Sequence, residues 1–177
     1  MPADELSWVA RAENRLDDPA AALADVEEAL KLNPASVHGL QLKAHILAER
    51  LGRPEEAMRA LDRAVEFHPD HAAVRAGRGV VLARAGRRDE AIRDAKDALL
   101  RDTKPPNLYQ VGCIYALTSK GHPEDQREAV RLLWSALKTG FGLDLVDTDP
   151  DLDLVRKHPE FQRLVRSARA LQPGPAR

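Results

Sequence analysis

At 177 residues the chain has room for one domain or a short array of small units, and folding at that size buries roughly two-thirds of the surface, so neither a disulfide nor a metal is needed to hold a core. Lys and Arg total 27 against 28 Asp and Glu, a formal charge of −1, which argues against a nucleic-acid partner held by bulk positive charge. The acidic start Met1-Pro2-Ala3-Asp4-Glu5 does not read as a signal peptide, no apolar run approaches the ~18 residues of a membrane span, and the single cysteine, Cys113, has no internal partner, so a reducing, cytoplasmic setting is expected.

In chain order the predicted elements come as helix pairs. Ala22-Leu23, Val26 and Ala29-Leu30 trace one face of a helix, entered through Leu16-Asp17-Asp18-Pro19 and left at Asn33-Pro34. Pro is tolerated at a first helical position because its missing N–H would be unbonded anyway. Leu40, Ala44, Leu47 and Leu51 then share a face, and Leu51-Gly52-Arg53-Pro54 breaks into a helix carrying Ala57-Met58, Leu61 and Ala64-Val65. His68-Pro69-Asp70 stops it. After Ala85-Gly86-Arg87-Arg88 comes Ala91-Ile92, Ala95 and Ala98-Leu99; Gly52 and Gly86 suit the left-handed geometry that ends a helix. Leu108, Val111, Gly112 and Tyr115 line the next helix, an enlarged turn runs from Thr118 to Arg127, and Ala129-Val130, Leu133 and Ala136-Leu137 close the series.

The leading alanines of the four patterned helices are 35, 34 and 38 residues apart, and offsets of 0, 1, 4, 7 and 8 within each copy mark one face of a 3.6-residue helix. Aromatics make up only 4% of the chain, so the helices are expected to pack through small residues. This is a repeat protein, each unit a helix, a tight turn and a helix.

These residues resemble the tetratricopeptide repeat family over about residues 3 to 140. The mid-helix small residue of the family matches Ala10, Ala44, Gly79 and Gly112; the early Ala of the second helix matches Ala22, Ala57, Ala91 and Ala129; the late one matches Ala29, Ala64, Ala98 and Ala136; the exit Pro matches Pro34 and Pro69. The family's large aromatics are mostly replaced by Leu, Arg or Pro, and the third unit ends in Thr103. The resemblance implies an all-α, right-handed superhelical solenoid of about four helix-turn-helix repeats (3–34, 35–69, 70–104 and 105–140), followed by a helical cap over 141–171 and a disordered tail over 172–177. The cap stretch, from Gly140-Phe141-Gly142 through Asp149-Pro150-Asp151 to His158-Pro159-Glu160-Phe161, is similar to the closing segment of bacterial, planctomycete-type members. Such arrays often lie beside serine/threonine kinase domains, so the resemblance implies a kinase or other signalling protein as partner. From the residues themselves, Phe161, Leu164, Val165, Ala168 and Leu171 form an amphipathic helix starting near Pro159, with Phe161 and Leu164 expected on the second helix of the fourth unit near Leu133 and Leu137.

No nucleophile–base pair, phosphate loop or zinc signature occurs, so no catalytic residue, cofactor or metal is expected. The run Asp147-Thr148-Asp149-Pro150-Asp151-Leu152-Asp153 imitates a calcium loop but has Leu152 where Gly is needed and His158 where Glu is needed; Asp149 reads better as a helix N-cap. His38 and His45 stand two turns apart, about 10 Å, too far to share one metal. Cys113 reads as a small buried apolar residue.

Stacked repeats leave an extended groove, and in the family the first helices line it. The register therefore points to Arg11, Asn14 and Arg15, then His38, Gln41, His45 and Glu49, then Ala76, Val80, Ala83 and Arg84, and Tyr109 with Cys113, as the surface for an extended peptide or partner helix. A chaperone-tail clamp is not expected, since its places hold Ser7, Arg11, Leu42, Ala73 and Gly77. The alternatives are a structural spacer or self-association element of a larger signalling assembly and, against the near-neutral charge, a helical-repeat RNA binder.

Overall fold

The computed structural model describes residues 4–172, and its regular structure is helical throughout. The ten α-helices are α1 (Glu5–Glu13), α2 (Pro19–Leu32), α3 (Val37–His45), α4 (Pro54–Phe67), α5 (Ala72–Arg84), α6 (Arg88–Arg101), α7 (Pro105–Thr118), α8 (Pro123–Leu137), α9 (Asp153–Arg156) and α10 (Pro159–Ala170). A π turn, Ile46–Arg50, prolongs α3, and a 3-10 turn, Pro150–Leu152, precedes α9. The all-α class is therefore as expected. The chain divides into two compact units inside α5, between Arg78 and Gly79. Of the expected tail, residues 173–177 lie outside the described residues.

In the first unit α1 packs on α2, and α3 with its π turn packs on α4. One core cluster gathers Val9, Ala12, Ala22, Val26, Ala29, Leu42 and Ile46; a second gathers Leu30, Leu40, Ala64, Val65 and Val74. The caps follow from sequence: Asp4, Asp18 and Ser36 accept backbone N–H groups of Ser7, Ala21 and Gly39, while Pro19 and Pro54 open α2 and α4. Ser36 is buried and its Oγ lies 3.0 Å from the Gly39 nitrogen. Ser36→Ala is expected to cost about 1 kcal/mol, seen as a melting temperature about 2–4 °C lower; an unchanged midpoint would mean that the cap does not hold this helix end. Gly52 and Gly86 end their helices with φ of 62° and 74°, the left-handed region in which a Cβ is strained.

Ala10 departs from expectation. It is exposed, and Ala12 is buried instead. Ala10 stands 12 residues before Ala22, whereas Ala44 stands 13 before Ala57; the places that match Ala44 and Leu47, 35 residues earlier, are Val9 and Ala12, and both are buried.

In the second unit α7 packs on α6 and α8 and also on the 3-10 turn and α9, while α10 packs on α8. A helix covered on several sides must be apolar nearly all round. Accordingly α7 buries Asn107, Tyr109, Val111, Gly112, Cys113, Ile114, Tyr115, Ala116 and Thr118. Gly112 is required by close approach to α8, since a Cβ there would stand 2.7 Å from Leu133 Cγ. The enlarged turn expected over Thr118 to Arg127 is shorter: α8 resumes at Pro123. The longer repeat spacing arises because α8 starts six residues before Ala129, whereas α6 starts three before Ala91, and because the turn holds one more residue. The eight patterned alanines, Ala22, Ala29, Ala57, Ala64, Ala91, Ala98, Ala129 and Ala136, are all fully buried.

Candidate functional site

The solvent side of the first helices in the first unit is a polar face built by helix periodicity. On α3 and its π turn, His38, Gln41, His45 and Glu49 recur at spacings of 3, 4 and 4 and are exposed or half-buried, opposite the buried Leu40, Ala44 and Leu47. His38 Nε2 lies 2.9 Å from Glu13 Oε1 at the end of α1, and Gln41 Nε2 donates to the Ala73 carbonyl at the start of α5, 3.3 Å away. These two bonds tie three successive first helices into one face.

On α1 and the turn after it, Arg11 and Arg15 both reach Asp25 of α2, at 3.2 and 3.0 Å. The Asp25 side chain is only 6% exposed, so two guanidinium groups compensate one buried carboxylate. Arg11 also lies over the Trp8 ring, 5.0 Å from its centroid. Asn14 bends back to donate to the Ala10 carbonyl at 2.9 Å. Arg11, Asn14, Arg15, His38, Gln41, His45 and Glu49 thus lie together on first helices or the turn following them. Lys43 is turned instead toward Glu27 of α2, 2.7 Å away.

The second unit differs from the expected open groove. Val80 is buried, as are Ala76 in the first unit's part of α5 and Ala83; Tyr109 and Cys113 on α7 are buried too. The stretch from Gly140 to α9 covers this side of α7 and the end of α5. Gly142, at φ 81°, lets the backbone lie against the Tyr109 ring, where a Cβ would collide. Phe141 meets the same ring edge-on at 5.9 Å between centroids. The Tyr109 hydroxyl donates to Asp149 Oδ2 at 3.1 Å, and Arg84 holds Asp151 in a fork, Nε to Oδ1 at 2.8 Å and NH2 to Oδ2 at 3.0 Å. Asp149 also accepts from the Asp151 N–H, the N-cap role expected for it. Val146, Leu152 and Val155 complete the cover, all buried. The sequence pattern could not reveal this, because repeat periodicity says nothing about a non-repeating segment returning over α7.

Burial and neighbouring carboxylates shift the groups beneath the cover. The Cys113 thiol is pushed well up by desolvation, with Asp149 and Asp151 adding to it, so its thiolate is suppressed. Desolvation likewise raises the Tyr109 phenol. Desolvation raises Asp151 as well, and Arg84 opposes that shift. Cys113, Asp149 and Asp151 bring ligand atoms within 4.8 Å of one another. Both oxygens of Asp151 already accept from Arg84, and Asp149 accepts from Tyr109 and the Asp151 N–H, a structural network rather than an open donor set. A cleft of about 670 Å³ lies elsewhere, lined by Arg88, Ile92, Arg93 and Lys96 of α6, Tyr115 of α7 and Asp125 of α8.

Two functional partners escaped the sequence reading. Asp25 sits on the buried stripe of α2, and an acid on an apolar face is a signal of a buried ion pair. Asp151 lay inside the false calcium loop, where only the fold could place Arg84 opposite it.

Among the described residues no helix is long and apolar enough to cross a membrane. A tetratricopeptide repeat family model matches residues 14–80. No curated protein matches the chain in sequence. Among solved structures, PilW, described as a widely conserved type IV pilus biogenesis factor, is similar with a TM-score of 0.66 at 22% identity, over 94% of this chain and 77% of PilW. MamA is similar with a TM-score of 0.60 at 19% identity, over 90% of this chain and 91% of MamA. At these identities the likeness establishes the fold: helix pairs of the tetratricopeptide kind.

Proposed function

We propose, from the tetratricopeptide repeat match over residues 14–80, that the chain is a non-catalytic protein-interaction scaffold whose first helices take an extended peptide or a partner helix. The observation that carries this reading is the row His38, Gln41, His45 and Glu49, which α3 and its π turn turn away from the core and which joins α1 through Glu13 and α5 through Ala73. Exposed histidines, an amide and cations on one face offer directional hydrogen bonds to a peptide backbone and its polar side chains, while the helix pairs beneath keep the face rigid. In the second unit the corresponding residues Val80, Arg84 and Tyr109 are buried or engaged by the chain itself, so the binding face belongs to the first unit. A cytoplasmic location, expected from the lone Cys113, is part of the same proposal.

The test is recovery of partners from the source cell by the wild-type chain and by Gln41→Ala and His45→Ala variants, followed by chemical-shift mapping of the recovered partner's peptide. Both variants are expected to retain the fold and to lose the partner. Shifts confined to α2 and α4 would refute the face assigned here, and substrate turnover abolished by a point mutation would remove the scaffold reading.

A further inference from the structure

We propose that Arg50 is the anchoring cation for an acidic, extended peptide segment of a partner protein, gripping a carboxylate as Arg84 grips Asp151 of this chain. The inference rests on the first helices being the binding face and names the chemistry that this face selects.

Three arginines stand at one repeat position, Arg15, Arg50 and Arg84, 35 and 34 residues apart. The turns after the last two match in detail. Gly52 and Gly86 both take positive φ, and Arg53 and Arg87 each make a two-pronged pair with the glutamate three residues on, Glu56 and Glu90. Position for position, then, Arg50 corresponds to Arg84.

Their partners differ. Arg15 is met by Asp25 from the following helix. At the equivalent place, 35 residues on, the second repeat has Ala60, so no carboxylate can arise there from within the repeat. Arg84 is met by Asp151, delivered by the closing segment with the fully buried Leu152 beside it. Arg50 is exposed and, among the described residues, has neither a hydrogen-bond nor an ion-pair partner. It also ends the π turn, a departure from α-helical register that occurs frequently at functional sites.

The charge around it suits an acidic ligand. Over α3 and its π turn Glu49 is the sole carboxylate; Lys43 is paired with Glu27 and His38 with Glu13, which leaves Arg50 as the arginine or lysine of this stretch without a carboxylate partner among the described residues. A guanidinium fork matches a carboxylate in two parallel hydrogen bonds, a geometry that a lysine cannot reproduce. The chain's own Asp149-Pro150-Asp151-Leu152 shows the shape of ligand that such an arginine holds: an aspartate just after a proline, next to an apolar residue.

The probe is a labelled synthetic peptide with the chain's 147–155 sequence, Asp-Thr-Asp-Pro-Asp-Leu-Asp-Leu-Val, titrated into the full chain. Shifts are expected at Arg50 and along α3, with affinity falling as salt is raised. Arg50→Ala is expected to weaken binding about fivefold, the size of one exposed ion pair, and to leave the melting temperature unchanged. Arg50→Lys should recover part of the loss. A peptide carrying Asn at the place of Asp151 should bind wild type and Arg50→Ala equally. Equal affinity of wild type and Arg50→Ala for the acidic peptide, or no binding at millimolar peptide, overturns the assignment. With shifts still on α1 and α3, equal affinity removes Arg50 and leaves the first-helix face standing; shifts on α2 and α4 remove both. Shifts on α7 and the 3-10 turn would mean that the peptide displaces the closing segment, and they too overturn the role of Arg50.

Discussion

Phe161→Ala is expected to lower the melting temperature by about 6–20 °C, and truncation after Gly140 to leave a chain that aggregates. Phe161 is 1% exposed on α10, which packs against α8; deleting a buried phenylalanine side chain costs about 3–5 kcal/mol through lost transfer energy and the cavity left behind, and each kcal/mol shifts the midpoint of a chain this size by about 2–4 °C. Truncation goes further. It removes Val146, Leu152, Val155, Phe161, Val165 and Ala168 together, all buried, and uncovers Tyr109 and Cys113 on α7. It also leaves Arg84 without Asp151. An apolar surface opened on α7 and α8 would drive association, which light scattering or sedimentation would register. A truncated chain that stays monomeric with the wild-type midpoint would show that the segment is a docking arm for another domain and not part of the core. The closing helix is not uniformly bound: Leu164 is half-buried and Leu171 is 62% exposed, so Leu164→Ala should cost less than Phe161→Ala, and Leu171→Ala almost nothing.

The second large effect is expected from enlarging the repeat alanines. Ala64 is fully buried in the cluster formed by Leu30, Leu40, Val65 and Val74, and Ala98 is fully buried on α6, where its carbonyl accepts from Asn107 of α7 at 3.3 Å. A leucine at either place adds three carbons where helices meet closely. Overpacking of this kind costs about 1–3 kcal/mol. Two separate urea titrations, one per variant, check it: midpoints that fall with unchanged slopes report a strained but intact core. Wild-type midpoints would mean that the alanines face space into which a larger side chain fits, and the repeat register would be wrong. Ala10→Leu serves as the contrast, because Ala10 is exposed and its replacement should leave stability within about 0.5 kcal/mol of wild type.

The helix pairs were legible in the sequence because each one is a local consequence of composition. Alanine at offsets 0 and 7 with apolar neighbours demands one buried face, Pro19 and Pro54 fit only a first helical turn, and Gly52 and Gly86 supply the positive φ that ends a helix. All of these act within one or two turns, so a single chain displays them. The first-helix row of His38, Gln41 and His45 could be placed for the same reason, since periodicity alone decides which side of α3 is solvent. The register of α1 was legible too, since the 35-residue spacing that aligns Ala22 with Ala57 aligns Val9 and Ala12, both buried, with Ala44 and Leu47; Ala10 lies one residue off that position.

What the tertiary structure alone decided is which part of the first-helix surface is free. Tyr109 and Val80 hold positions on first helices that periodicity assigns to a groove, yet both are buried. The reason lies 40 residues beyond Tyr109, in Asp149, and 67 beyond Arg84, in Asp151. Contacts at such separations depend on where a non-repeating segment is brought by packing on α8. No spacing rule encodes that path, whereas burial of Val146, Leu152 and Val155 stabilises it strongly once formed. The sequence by itself determined the helices, their pairing and their packing stripes through short-range periodicity. Only long-range burial decided that the second unit's first helices are closed by the chain's own acidic segment, while those of the first unit stay open.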